Sequence, residues 1–179
     1  MRIIIMFGPP GVGKTTLAHI VAKETNSEIF ELNASDLRNR EKLREILKPA
    51  IEQKSLFKDK KIILVDEADG ISASDWGGLP ELLLLIDLTT YPLIITANDI
   101  WKKELSSLRK KTELVQLKEI DYKTIKNILI EILRKENKFV NNDALTGIAI
   151  KAKGDLRAAI NDIQAESSVK EQEISVEER

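Results

Sequence analysis

Runs of consecutive apolar residues alternate with stretches of helically spaced apolar residues through the first two thirds of the chain. The pattern predicts buried strands at 3–7 and 62–65 and further strands at 28–32, 93–96 and 114–117, and the helical spacing predicts helices at 17–25, 37–53 and 79–88. A continuous apolar run is typical of a strand buried on both faces, as strands of parallel sheets are. The alternation therefore predicts an α/β fold, a five-stranded parallel sheet with flanking helices on both faces.

After Lys118 the pattern changes to helical spacing alone. It predicts three helices, with Asp121 as the N-cap of the first and Gly154 just before the third. We therefore expect an α/β core over 1–118 and a small all-helical domain over 119–166. The polar, glutamate-rich end, 167–179, is expected to fray.

Composition excludes several classes of protein. With 179 residues, 42% of them apolar and 32% charged, the chain fits one globular domain, or one with a small satellite. It contains no cysteine, which excludes disulfides, thiolate metal sites and cysteine nucleophiles, and its one histidine, His19, excludes a multi-histidine site. No apolar run approaches the roughly 20 residues of a membrane span, so we expect a cytoplasmic protein (nuclear in a eukaryote) without a membrane partner.

The segment 8–15 matches the pattern G-x-x-x-x-G-K-[ST] and lies between a predicted strand and a predicted helix. Its glycines allow backbone N–H groups to turn toward phosphate oxygens, and the N-terminus of the following helix favours the same negative charge. Lys14 would contact the β- and γ-phosphates, and the Thr15 hydroxyl would bind Mg²⁺. The alternative, a glycine-rich turn that happens to precede a lysine, leaves the flanking strand and helix unexplained. The segment predicts an ATP- or GTP-binding domain.

Two carboxylates, Asp66 and Glu67, follow the third predicted strand. In a nucleotide-binding domain, Asp66 would hold the Mg²⁺ and Glu67 would polarise the attacking water. Alternatively, a carboxylate pair at a strand end is a surface charge. Asp66-Glu67-Ala68-Asp69 also suggests a helicase, but the roughly 60 residues beyond the sheet are too few for a second motor domain.

Two further polar residues are candidates for the same site. Asn98 follows the fourth predicted strand, where its amide would orient the hydrolytic water; alternatively it is a turn former. Arg157 begins the last predicted helix, where it would reach the γ-phosphate and sense the state of the nucleotide. Alternatively it is a solvated surface arginine.

Basic residues recur at every fourth position of the predicted helix 37–53. Arg40, Arg44 and Lys48 would form one stripe on its surface. Such a stripe would suit the phosphates of a nucleic acid. It is equally typical of a solvated face, which here also carries Glu41, Glu45 and Glu52.

This set of motifs resembles the AAA+ ATPases, and within them the clamp loader replication factor C. The matching segments are 8–16, 31–36, 66–71, 77–78, 96–99 and 154–162, in order along the chain. The nucleotide motifs are common to many families. Leu-Asn-Ala-Ser-Asp (32–36) together with Gly-Asp-Leu-Arg-Ala-Ala-Ile-Asn-Asp (154–162) is far more specific, and the details resemble the large subunit of the archaeal type.

The resemblance implies a Mg²⁺-dependent ATPase with a P-loop NTPase core and a helical lid. The residues that bind nucleotide would be Asn98 as sensor 1, Arg157 as sensor 2, and the loop residues Gly8, Pro9, Pro10, Gly11, Val12, Gly13, Lys14, Thr15 and Thr16. It also implies a hetero-oligomer with clamp-loader small subunits that acts on a sliding clamp and primer–template DNA, the basic helix lining the DNA channel. Such a large subunit offers no arginine finger, which is the arginine that one subunit contributes to the ATP bound by its neighbour. Arg109 lies near the position of that arginine but does not align with it.

Several features depart from the family. Seven residues precede Gly8, where family members have a segment that holds the adenine, and 167–179 carries neither an assembly collar nor an aromatic clamp-binding motif. Trp76 and Ile100 stand where arginine and proline are expected. We therefore expect a chain truncated at both ends or one half of a split protein. Two other functions stay open: a nucleotide- and DNA-binding scaffold with little turnover, and another AAA+ role such as replication initiator or branch-migration motor.

Overall fold

The computed structural model describes residues 3–33, 60–71 and 78–177. The chain divides into two compact units, the first comprising Met1–Gly8 with Lys14–Leu117 and the second Pro9–Gly13 with Lys118–Arg179. The predicted helix at 37–53, with its basic stripe, lies outside the described residues.

A five-stranded parallel sheet forms the centre of the first unit, as the sequence predicts. Its strands are β1 (Ile3–Phe7), β2 (Ser27–Asn33), β3 (Lys60–Asp66), β4 (Leu93–Ala97) and β5 (Glu113–Gln116). Their order across the sheet is β2-β3-β4-β1-β5, and each neighbouring pair is parallel. β4 therefore lies between β1 and β3, so the strands that precede the three predicted nucleotide motifs are neighbours.

The described helices of the first unit are α1 (Lys14–Glu24), α2 (Gly78–Leu88) and α3 (Ser106–Lys111). Short 3₁₀ turns occur at Ala68–Gly70 and Lys103–Leu105. The apolar spacing predicts α1 and α2. It misses α3, because a helix of 6 residues with the single buried residue Leu108 does not complete a helical pattern.

Apolar packing covers both faces of the sheet, which explains the continuous apolar runs. Along β3, successive side chains alternate between two core clusters. Ile62 and Leu64 belong to the cluster that contains the buried alanines of α1. Ile63 and Val65 belong to the cluster that contains Leu82 of α2. β3 is thus buried on both sides, so its apolar run could not alternate with polar residues.

Helices α4 (Tyr122–Lys135), α5 (Asn142–Lys151) and α6 (Leu156–Glu177) form most of the second unit. They share one apolar cluster, whose buried residues are Ile125, Leu129, Leu133, Val140, Leu145, Ala149, Ala159 and Ile163. Asp121 caps α4 as predicted: its Oδ1 accepts hydrogen bonds from the N–H groups of Lys123 and Thr124, each at 3.0 Å. The hydrogen bond from the Thr124 hydroxyl lowers the pKa of the Asp121 carboxyl from its usual value of 3.8, and these N–H groups lower it further.

The last described helix, α6, continues to Glu177, although we expect fraying after residue 166 from the polar composition. No glycine or proline follows Gly154, so the sequence contains no residue that would interrupt the helix. Among the described residues, no helix is both long enough and apolar enough to cross a membrane.

Candidate functional site

Polar residues that follow three different strands gather at one edge of the sheet. β4 pairs with β1 on one side and with β3 on the other, and all three strands are parallel. Their carboxyl ends therefore meet, at the edge where ligands bind in open α/β sheets. Gly8 follows β1, Asp66 ends β3 and Asn98 follows β4. The first unit thus brings together residues that are far apart in the sequence.

The Lys14 side chain links the ends of β1 and β4. Its Nζ donates one hydrogen bond to the carbonyl oxygen of Gly8 at 2.9 Å and another to Asn98 Oδ1 at 2.8 Å. Lys14 is half-buried, whereas Asn98 is exposed. An ammonium group already surrounded by oxygen acceptors suits the charged oxygens of a phosphate group. The structure therefore places Lys14 and Asn98 together, and their contacts with a nucleotide stay predictions.

Thr15 and Asp66 bring together the oxygen atoms that a Mg²⁺ ion requires. The Thr15 hydroxyl donates to Asp66 Oδ1 at 2.9 Å. Within the described part of the chain, no cluster of three or more His, Cys, Asp or Glu residues is able to hold a metal ion by itself. Mg²⁺ prefers oxygen ligands and is commonly bound by one or two protein groups together with the phosphates of a substrate. This pair therefore fits Mg²⁺ bound with a nucleotide.

Glu67 has an unusual backbone conformation for a residue other than glycine. Its φ of 57° and ψ of 43° lie in the left-handed region, and its side chain is exposed. The Glu67 N–H donates to the hydroxyl of Thr96 at 3.0 Å, which holds this conformation. Such strain is typical of functional sites, because the surrounding structure must maintain it.

Two glycines of the predicted phosphate-binding loop lie where a side chain would clash with neighbouring atoms. A Cβ atom at Gly8 would lie 2.1 Å from the carbonyl oxygen of Leu117, within the first unit. Gly11 has a φ of 68°, and a Cβ atom there would lie 1.7 Å from Asp155 Oδ1, within the second unit. The carbonyl oxygen of Gly11 also accepts a hydrogen bond from the Leu156 N–H at 3.2 Å. Larger residues at these positions would displace the loop.

Replacing Gly11 by alanine is expected to destabilise the protein by about 1–3 kcal/mol, because the left-handed φ and the Asp155 carboxylate both oppose a Cβ atom. Urea unfolding would measure this change in the free energy of unfolding. Gly147→Ala is the matched control: Gly147 lies within α5, nothing lies within 4 Å of its added Cβ, and alanine favours a helix. Equal shifts for the two variants would contradict the assignment of a strained loop at Gly11.

The remaining predicted nucleotide-binding residues divide between the two units. Those of the second unit are Pro9, Pro10, Val12, Gly13 and Arg157. Arg157 is exposed at the start of α6, and Thr16 is exposed on α1 of the first unit. The roles of these residues toward a nucleotide stay predictions.

The contacts of three further residues, Thr96, Asp69 and Arg109, are absent from the sequence-based predictions. Thr96 contacts both Asp66 and Glu67, and the Asp69 carboxylate accepts a hydrogen bond from the Asn98 N–H. Arg109 donates to the carbonyl oxygens of Ile100 and Lys102, and its guanidinium lies over the Trp101 ring. The sequence contains a hint of each contact. Thr96 is a polar residue in an otherwise apolar strand, Asp69 is an acidic residue shortly after Asp66-Glu67, and Arg109 lies four residues before the fifth strand.

The class of protein follows from the match of residues 4–120 to the AAA family, described as an ATPase family associated with various cellular activities. This match covers more than half of the chain, so the chain belongs to the AAA family. The parallel sheet and the convergence of Lys14, Asp66 and Asn98 at its carboxyl edge agree with this membership.

Curated relatives confirm the resemblance to archaeal replication factor C large subunits. The replication factor C large subunit of Thermofilum pendens is 45% identical over 166 residues, which cover 92% of this chain and 40% of that protein. The replication factor C large subunit of Methanococcus vannielii is 40% identical over 163 residues, which cover 90% of this chain and 33% of that protein. The chain therefore spans two fifths or less of the length of these two relatives.

Among solved structures, RuvB of Thermotoga maritima, a Holliday junction branch migration motor, has a similar fold. The two chains superpose with a TM-score of 0.70 at 25% sequence identity, covering 90% of this chain and 52% of the RuvB chain. The predicted fold class, a P-loop α/β domain of the AAA type, is confirmed by this similarity and by the family match.

Proposed function

We propose that this chain is the ATP-binding part of a DNA sliding-clamp loader, which uses ATP binding and hydrolysis to load a ring clamp on primer–template DNA. The observation that carries the proposal is the convergence of Lys14, Asp66 and Asn98 at the carboxyl edge of the sheet. It occurs in a chain that is similar over 92% of its length to a replication factor C large subunit. Such a protein would act where the chromosome is copied, in the cytoplasm or in a eukaryotic nucleus.

Different residues at the carboxyl edge of the sheet would bind different parts of Mg²⁺-ATP. Lys14 binds the β- and γ-phosphate oxygens through its ammonium group, which already faces oxygen acceptors. Thr15 and Asp66 would hold Mg²⁺, which when bound neutralises negative charge on the phosphates. Arg157 would contact the γ-phosphate from α6 and so report whether ATP or ADP is present.

Hydrolysis requires a water molecule that is activated and oriented. Glu67, exposed at the start of the turn after β3, would polarise this water with its carboxylate. The Asn98 amide would orient the same water from the tip of β4. A neighbouring subunit would supply the arginine that completes the site. Arg109, which donates to the carbonyl oxygens of its own loop, would offer no such arginine to a neighbour.

ATP turnover by the chain mixed with replication factor C small subunits, a sliding clamp and primer–template DNA would test this function. We expect turnover to rise at least on the order of 10³-fold over the chain alone, because an arginine from a partner contributes that much in related sites. The matched control is the same mixture with a Lys14→Ala chain, which measures the turnover of the small subunits. Equal turnover in the two mixtures would reject this function.

Two alternative functions predict different results. A nucleotide-binding scaffold would bind ATP tightly and add no turnover even with small subunits present. A branch-migration motor has structural support from the RuvB similarity, but its 25% identity is lower than the 45% identity to a replication factor C large subunit. Stimulation by Holliday junctions in place of primer–template DNA would favour the motor.

The basic stripe formed by Arg40, Arg44 and Lys48 is proposed to contact the DNA backbone, although it lies outside the described residues. Changing all three to glutamate is expected to weaken primer–template binding by the assembled complex. The slope of log affinity against log salt should become shallower by roughly 0.9 for each DNA phosphate that the variant no longer neutralises. The stripe would instead be a solvated face if fluorescence anisotropy at several salt concentrations gave the same slope for both proteins.

A further inference from the structure

A buried threonine hydroxyl joins two neighbouring strands at the carboxyl edge of the sheet. Thr96 lies in β4 with 1% of its surface exposed. Its Oγ1 accepts a hydrogen bond from the Glu67 N–H at 3.0 Å and donates one to Asp66 Oδ1. A hydroxyl can make both bonds because it has one donor and two acceptor sites. Thr96 therefore contacts both residues of the carboxylate pair from the next strand.

A carboxylate on the turn after β3 makes the reverse link. Asp69 lies in the 3₁₀ turn Ala68–Gly70, directly after the carboxylate pair. Its Oδ1 accepts a hydrogen bond from the Asn98 N–H at 3.0 Å, and its Oδ2 accepts one from the Asp99 N–H at 3.4 Å. The backbone that carries the Asn98 amide is therefore fixed to the turn after β3.

The hydrogen bonds of Thr96 and Asp69 restrain groups on β3 and β4 that could otherwise move independently. Asp66 Oδ1 accepts hydrogen bonds from both Thr15 and Thr96, so the orientation of this carboxylate is set from two sides. Glu67 keeps its left-handed conformation only while its neighbours support it. Catalytic groups must be held within about 0.5 Å of their working positions, so support of this kind affects the rate.

We propose that Thr96 and Asp69 are positioning residues that join Asp66, Glu67 and Asn98 into one rigid group. This inference rests on the proposed function, because it assigns both residues an effect on the binding and hydrolysis of Mg²⁺-ATP. Thr96 acts through the carboxylate pair, and Asp69 acts through the backbone of Asn98. Displacement of the turn after β3 then moves the tip of β4 with it.

Three threonine variants test the first link. Thr96→Val removes the hydroxyl and keeps the shape, whereas Thr96→Ser keeps the hydroxyl. Thr89→Val is the matched control, because Thr89 is also buried, at 4% exposure, and its hydroxyl bonds within its own turn, to Tyr91. ATP affinity would be measured for each folded variant with Mg²⁺ and with a chelator, and the turnover number would be measured with small subunits present.

We expect Thr96→Val to lose most of the affinity that Mg²⁺ adds and to keep its affinity for ATP in chelator. Its turnover number should fall roughly tenfold to hundredfold, because the Asp66 carboxylate and the Glu67 N–H both lose a partner. Thr96→Ser should restore both properties, and Thr89→Val should change neither. A role for Thr96 in folding alone would lower thermal stability in both valine variants and leave the Mg²⁺ dependence unchanged, which would overturn the inference.

Asp69→Ala tests the second link on an accessible turn, and it keeps the inference falsifiable if Thr96→Val does not fold. It should lower the turnover number, with Mg²⁺-dependent affinity affected less, because Asn98 orients water. An unchanged turnover number would overturn the role of Asp69.

Lys14→Ala distinguishes failure of the proposed function from failure of the positioning role. If that variant keeps its full ATP affinity, the proposed function itself fails. If Lys14→Ala loses affinity while Thr96→Val behaves like Thr89→Val, only the positioning role fails.

Discussion

Replacing Lys14 by alanine is expected to weaken ATP binding by roughly tenfold to hundredfold. The estimate follows from the loss of hydrogen bonds between a charged group and phosphate oxygens, which contribute about 1.5–3 kcal/mol each. In the structure, the Lys14 ammonium faces the carbonyl oxygen of Gly8 and the amide oxygen of Asn98 at 2.9 and 2.8 Å. Removal of the ammonium takes a positive charge away from the edge of the sheet where the phosphates are proposed to bind. Isothermal titration with a slowly hydrolysed ATP analogue would measure the change.

Lys23 provides the matched control for this loss of charge. It is exposed in the last turn of the same helix, α1, away from the carboxyl edge of the sheet. Lys23→Ala therefore removes one positive charge from the same element and should leave ATP affinity unchanged. Similar losses in the two variants would mean that Lys14 acts through the overall charge of the protein, and the assignment of the phosphate-binding loop would be wrong.

Replacing Glu67 by glutamine is expected to abolish most ATP turnover and to preserve ATP binding. General-base assistance typically contributes about 10²- to 10⁴-fold to a rate, and an amide cannot polarise water as a carboxylate does. The Glu67 backbone N–H keeps its hydrogen bond to Thr96 in this variant, so the turn should retain its conformation. Turnover by the chain assembled with small subunits would be measured beside ATP affinity.

Glu104→Gln is the control for this variant, because Glu104 is an exposed glutamate in the 3₁₀ turn after β4. It should retain both affinity and turnover. If Glu67→Gln lost affinity and turnover in equal proportion, Glu67 would be a binding residue and another group would activate the water. If it lost neither, the hydrolysis at this subunit would not use Glu67.

The strands and the convergence of Lys14, Asp66 and Asn98 are the features that the sequence predicts best. The central strands β3 and β4 are recognisable because they are buried along most of their length, which leaves uninterrupted apolar runs such as Ile62–Val65. Parallel strands then place their carboxyl ends at one edge, so a polar residue after each strand reaches the same place. Fold and site are predictable together for this reason.

The contacts of Thr96 and Asp69 depend on information that no single strand contains. Thr96 reaches Asp66 because the register of β3 and β4 pairs Val65 with Ile95, one residue before each of them. Register depends on how the apolar patterns of both strands pack together, so the sequence of one strand alone does not give it. Long-range hydrogen bonds of this kind become visible only in the folded chain.

One titration tests most directly the claim that the carboxyl edge of this sheet is a nucleotide site. ATP would be added to the unchanged chain in the presence of Mg²⁺ and, separately, in the presence of a chelator. We predict saturable binding of one ATP per chain that is tighter with Mg²⁺, because Thr15 and Asp66 supply oxygen ligands. The absence of saturable binding up to millimolar ATP, or binding that Mg²⁺ does not strengthen, would contradict the claim.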